Sequence, residues 1–188
     1  MSAADPDLHA RLVALLRERS VQHGSFTLAS GRSSSYYIDA RIATMSAAGL
    51  VLIGELGLRA IRGAGWDADL VGGLTMGADP VAYAIARASQ EAPPVLDAFS
   101  VRKDAKGHGA GRRIEGNFRS GARVVVVEDV ITTGQSALTA LGAVRDAGGR
   151  VSGVLAVVDR DEGGRTAIEG AGVSVVSLVG VRDLGVGS

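Results

Sequence analysis

Val124–Val127 is an unbroken run of four valines, β-branched throughout, and it is followed by two acids and then by a helical pattern over residues 137–147 that stops at Gly148. A run of this kind suits a strand covered on both faces, as in a parallel sheet. Upstream, Leu8, Leu12, Leu15 and Leu16 recur at helical spacing with Arg11, Arg17, Glu18 and Arg19 between them, which predicts an amphipathic helix over residues 6–20 that ends near His23-Gly24. Phe26-Thr27-Leu28 and Tyr36–Asp39 read as two short strands around a polar Ser-Gly-Arg turn, forming a flap outside the main sheet. A helix over 46–62, a strand opening at Leu70-Val71, a glycine-rich loop over 72–77 and a helix through Arg87 follow, the last with Asp79 as N-cap and Pro80 in its first turn. Strands over 95–101, 151–158 and 173–179 and a short helix over 166–169 complete the pattern. The β–α alternation predicts an α/β fold, a mostly parallel central sheet flanked by helices, with a small N-terminal hood formed mainly by residues 1–40.

Length and composition narrow this further. The 188 residues suffice for a single domain, 1–188, with a substantial core, and 46% hydrophobic against 21% charged residues is globular usage. Twenty basic residues balance twenty acidic ones, so no global field attracts nucleic acid or an anionic membrane, and any anion site must be local. There is no cysteine, which removes disulfides, thiol nucleophiles and thiolate metal sites. His9, His23 and His108 lie far apart, without the spacing of a metal site. The N-terminus has no apolar signal core and no apolar run reaches spanning length, so the expectation is a soluble, cytoplasmic protein with neither nucleic-acid nor membrane partners.

The chemistry concentrates after the valine run. Glu128 and Asp129 stand at the expected carboxyl end of the strand, and Thr132, Thr133, Gly134, Gln135 and Ser136 lead into the helix. Free backbone N–H groups at a helix start, hydroxyls and a glycine permitting close approach suit a phosphate monoester. Two carboxylates cannot bind that phosphate but can accept from sugar hydroxyls, so a sugar phosphate is the economical ligand. Gln135 stands where a nucleoside-triphosphate loop requires Lys, which excludes that alternative. Residues 102–113 hold five basic residues against one acid, interleaved with glycines, either a solvated turn or a lid for a polyanion. Arg160, at the end of a strand, is placed either to engage a ligand carboxylate or to pair with Asp159 or Asp161. Tyr36 and Tyr37 could stack on a planar ligand or pack the flap.

The string EDVITTGQS resembles the phosphoribosyl diphosphate (PRPP) signature of type I phosphoribosyltransferases, and TLASGRSSSYYID and VRKDAKGHG resemble two segments of the orotate phosphoribosyltransferases within that group. The resemblance covers nearly the whole chain. It implies transfer of ribose 5-phosphate from PRPP to orotate, giving orotidine 5′-monophosphate and diphosphate. It assigns catalysis to Lys103 and Asp129, the leaving diphosphate to Arg102, Lys103, Lys106 and His108, and the rest of PRPP to Glu128, Asp129, Val130, Ile131, Thr132, Thr133, Gly134, Gln135 and Ser136. Tyr37, Thr132 and Arg160 would contact orotate, Mg2+ would be carried mainly by PRPP, and the basic loop would reach into the neighbouring site of a homodimer. The glycine-rich loop over 72–77 would meet the diphosphate. Two positions depart from the family pattern: Ala29 where many members carry lysine, and Thr75-Met76 in place of an aromatic-lysine pair. These departures leave room for a non-catalytic PRPP- or nucleotide-sensing regulator on the same fold, and a purine-specific transferase is a third reading.

Overall fold

The computed structural model describes residues 6–27, 33–103 and 113–186. Helix α1 (Pro6–Arg19) leads directly into strand β1 (Val21–Thr27), which pairs antiparallel with β2 (Ser33–Ile38) as a separate two-stranded sheet, the expected hood. The helix therefore ends before His23-Gly24, because Val21 is already paired with Ile38. Next come α2 (Arg41–Thr44), which no periodicity announced, and α3 (Ala47–Gly63), capped by the Ser46 hydroxyl on the Gly49 N–H at 3.0 Å.

The main sheet has six strands in the order β5-β4-β3-β6-β7-β8. Strands β3 (Leu70–Leu74), β4 (Asp97–Val101), β6 (Arg123–Ile131), β7 (Arg150–Asp159) and β8 (Val175–Gly180) are mutually parallel, whereas β5 (Ile114–Gly116) is antiparallel to β4 at the edge. Helices α4 (Ala78–Glu91), α5 (Gln135–Asp146) and α6 (Gly164–Gly170) form the crossovers, and a 3-10 turn, Val181–Leu184, closes the described chain. Alternate residues of each buried strand serve opposite faces. Val71, Val125, Val127, Leu155 and Val157 pack beneath α1, α3 and α4, while Leu70, Val124, Val126, Val154 and Ala156 pack beneath α5 and α6.

Several boundaries around the crevice differ from the sequence reading. Gly72, Gly73 and Leu74 belong to β3, because both glycines are in register with β4 and a Cβ at either would collide with a neighbouring strand's carbonyl, of Phe99 or of Val127. Asp79 is not the N-cap of α4: Gly77 holds that place, and the Asp79 carboxylate instead accepts from Thr75 Oγ1 and, at 2.7 Å, from Ser100 Oγ. Strand β6 continues through Glu128 and Asp129 to Ile131, since Val130 and Ile131 pair with Val158 and Asp159 of β7.

The sheet's order fixes where a ligand can sit. From β3 the chain moves outward to β4, and from β6 it moves the other way to β7 and β8, with α4 and α5 on opposite faces. The loops leaving β3 and β6 therefore diverge, opening a crevice at the carboxyl ends of these two strands.

Candidate functional site

The crevice is lined first by the acid pair. Glu128 is 5% exposed, its Oε2 has no hydrogen-bond partner, and burial followed by its interaction with the Asp129 carboxyl raises its pKa from 4.5 to about 9. In the free protein it therefore holds a proton at neutral pH. An unpartnered buried oxygen awaits a hydrogen-bonding group. Asp129 is half-buried and its Oδ1 accepts its neighbour Val130's N–H at 2.9 Å. It lies against the head of α4, where a Cβ at residue 77 would fall 2.6 Å from Asp129 Oδ1, so a side chain there would push the carboxylate aside.

The loop from Thr132 to Gly134 turns the chain from β6 into α5. Gly134 has φ +80°, a left-handed conformation that glycine adopts without cost, and no side chain caps the helix behind it. The N–H groups at the head of α5 are thus left for a ligand, with Thr133, Gln135 and Ser136 exposed around them and Thr132 half-buried. The loop is seated on the start of α6: a Cβ at Gly164 would strike the Thr132 carbonyl and come within 2.7 Å of the Gly134 nitrogen. The polarity pattern gave no sign of Gly77 or Gly164, since their roles are close approaches between segments far apart in sequence.

Arg160 follows β7 and its N–H donates to the Ile131 carbonyl at 3.0 Å, which ties it to the end of β6. Its guanidinium is buried, with Cζ 5.0 Å from the centroid of the Tyr36 ring. Its ion pair is with Glu162, Nη2 to Oε1 at 2.8 Å, rather than with Asp159 or Asp161. Asp159 is held by Arg165 at 2.9 Å, and Asp161 faces Arg182 at 3.7 Å. The hood thus reaches the crevice through Tyr36, whereas Tyr37, the next residue on the alternating strand, is exposed and tilted against Phe26 with ring centroids 5.7 Å apart.

At the other wall, the basic segment springs from the β4–β5 pair. Arg102 Nε binds Glu115 Oε1 at 3.0 Å, and its N–H donates to the Arg113 carbonyl at 2.8 Å, while the Lys103 side chain is exposed. Lys106 and His108 lie outside the described residues, as does Ala29. Met76, in the loop after β3, is exposed, and its peptide bond with Thr75 is cis. Asp39 grips Arg41 through Nε at 2.8 Å and Nη2 at 2.9 Å, fixing the junction between hood and body.

No family model matches the chain. An orotate phosphoribosyltransferase of Mycobacterium tuberculosis H37Rv is 52% identical over 182 residues, spanning 97% of this chain and 98% of that protein. One from Corynebacterium glutamicum is 49% identical over 184 residues, 98% of this chain and 97% of the relative. Among solved structures, M. tuberculosis orotate phosphoribosyltransferase in complex with PRPP superposes with a TM-score of 0.81 at 46% identity, covering 95% of this chain and 99% of that one.

Proposed function

The chain belongs to the orotate phosphoribosyltransferase family, and from that premise we propose how its residues divide the work. The reaction transfers ribose 5-phosphate from PRPP to orotate, a step of pyrimidine nucleotide biosynthesis. The bond from C1 of the ribose to diphosphate breaks with its electron pair on the leaving group, the bond from C1 to N1 of orotate forms, and the N1 proton is released. Charge therefore develops at both ends: positive on the sugar, negative on the diphosphate.

The observation that carries the proposal is the uncapped head of α5 beside an acid pair, of which Glu128 is buried with Oε2 unpartnered, at the sheet's switch point. The 5′-phosphate is held by the N–H groups and hydroxyls of Thr132, Thr133, Gly134, Gln135 and Ser136, with the Val130–Ile131 backbone shaping the approach. The ribose hydroxyls satisfy Glu128 and Asp129, and the Asp129 carboxylate favours positive charge on the ring as the diphosphate departs. Lys103 with Arg102, Lys106 and His108 meets the diphosphate. Mg2+ held by PRPP's own diphosphate and ribose oxygens would neutralise part of that charge. Arg160 takes the orotate carboxylate, with Thr132 at the base and the hood strand that carries Tyr36 and Tyr37 closing over it. Anchoring the phosphate at one end and the base at the other aligns C1 with N1.

We further infer a cytoplasmic homodimer in which the basic loop serves the neighbouring site, with residues 1–188 acting as one catalytic domain. Exposed apolar side chains support this: Ile42 on α2, Met45 just after it, Val51 on α3, Tyr83 on α4 and Met76 in the loop after β3 all stand in water. A second copy packed over these side chains would take them out of water.

The test is the fall in orotate absorbance when purified protein meets PRPP and Mg2+, run beside adenine, guanine, hypoxanthine, xanthine and uracil. Consumption of orotate alone, and only with PRPP, is expected. Turnover of another base in its place would refute the role given to Arg160.

A further inference from the structure

Arg160 is not an empty receptor. Its Nη2 is occupied by the Glu162 carboxylate at 2.8 Å, and both side chains are largely removed from water, at 4% and 17% exposure. Its Nε is buried and has no partner, and the Tyr36 ring closes one face of the guanidinium. A guanidinium engages a carboxylate through two forks, one made of Nε with Nη2 and the other of Nη1 with Nη2. Nη2 carries two N–H groups, one in each fork, so Glu162 takes up one of them and stands beside whichever fork a second carboxylate would use.

The chain is bent to put Glu162 there. Asp161 has φ +56°, a left-handed conformation disfavoured for an L side chain, and Gly163 follows with φ +90°. The Asp161 N–H is fixed by Asp159 Oδ1 at 3.0 Å, so the turn folds back and returns Glu162 onto the residue two positions before it. Such a turn in a short exposed connection, ending on a buried ion pair, marks a contact that the fold holds at some cost.

We propose that Glu162 is an internal stand-in for the substrate's carboxylate, seated on Arg160 in the free protein and displaced or repelled when orotate binds, so that it sets the enzyme's affinity for acidic bases. The inference rests on the role given above to Arg160. Two carboxylates sharing one guanidinium in a poorly solvated pocket repel each other, and the incoming one binds more weakly by the work of moving the first. A base without a carboxylate has no such competitor. Glu162 therefore lowers the preference for orotate over uracil that Arg160 alone would give.

The test compares wild type, Glu162→Gln, Arg160→Gln and the double variant by orotate KM, PRPP KM, kcat and inhibition by uracil. Glutamine keeps the size and a hydrogen bond to Nη2 but removes the charge. The expected result for Glu162→Gln is an orotate KM lower by about tenfold with PRPP KM and uracil inhibition unchanged. In the Arg160→Gln background the same substitution should have no such effect. An unchanged or higher orotate KM in Glu162→Gln, while Arg160→Gln weakens orotate, would overturn this inference and leave the role of Arg160 standing. An Arg160→Gln enzyme with normal orotate KM would instead overturn the Arg160 assignment itself. A purely structural Glu162 would raise KM or depress kcat, and would not tighten one substrate alone.

Discussion

Glutamine in place of Glu128 should make the protein more stable and a poorer binder of PRPP, and the stability gain should depend on pH in a defined way. The folded protein keeps the Glu128 proton until about pH 9, whereas the unfolded chain releases it near 4.5. Between those values the unfolded state binds fewer protons, so the stability this group contributes is complete below 4.5 and is lost as pH rises toward 9. At 1.36 kcal/mol per pH unit, the loss by pH 7 is up to about 3 kcal/mol. Glutamine has the same shape and nothing to titrate, so it removes this loss. For a chain of this size, that corresponds to a Tm higher by roughly 6–12 °C at pH 7. At pH 4.5 the two proteins should melt within a degree or two of each other. Replacing an acid that hydrogen-bonds a sugar hydroxyl should weaken PRPP by about tenfold. Thermal melts of both proteins from pH 4.5 to 8 without substrate, and calorimetric titration with PRPP, read the two effects. A Tm difference that is absent at pH 7, or equal at all pH values, would refute the reasoning.

Other substitutions separate the parts of the site. Gly164→Ala drives a methyl group into the Thr132 carbonyl beneath the phosphate loop, so initial rates should show PRPP KM up by about tenfold or more and orotate KM nearly constant. Lys103→Ala removes an exposed cation with no packing role, so kcat should fall by about a hundredfold or more with an unchanged melting curve; unchanged turnover and PRPP affinity would exclude it from the diphosphate site. Val51→Glu sets a charge at an exposed apolar position of α3, and sedimentation should show monomers with little activity, whereas an intact dimer would place the interface elsewhere.

The crevice was legible because its parts are contiguous in sequence. The valine run, the acid pair and the Thr-Thr-Gly turn follow one another from Val124 to Gly134, and a buried parallel strand can present such a string only at its carboxyl end. What escaped depends on partners distant along the chain. The strand's extension past Glu128 is set by β7, whose Val158 and Asp159 pair with Val130 and Ile131 regardless of local polarity. Strand β5, three residues long, exists because β4 offers it an edge. Asp159 and Asp161 were the natural partners for Arg160 by proximity, yet Arg165 reaches back from α6 to take the first, and the positive φ of Asp161 turns Glu162 inward. That Tyr36 rather than Tyr37 meets Arg160 follows from the hairpin's register, which the two adjacent tyrosines leave open.

In the proposed site, phosphate and base are held by separate groups at the two sides of one crevice. A single steady-state experiment tests it, measuring PRPP KM and orotate KM in parallel for Thr133→Val at the head of α5 and Arg160→Gln at the end of β7. Thr133→Val should raise only the PRPP constant and Arg160→Gln only the orotate constant. If both variants shifted the same constant, or if each shifted both equally, the division of the site drawn from this structure would be wrong.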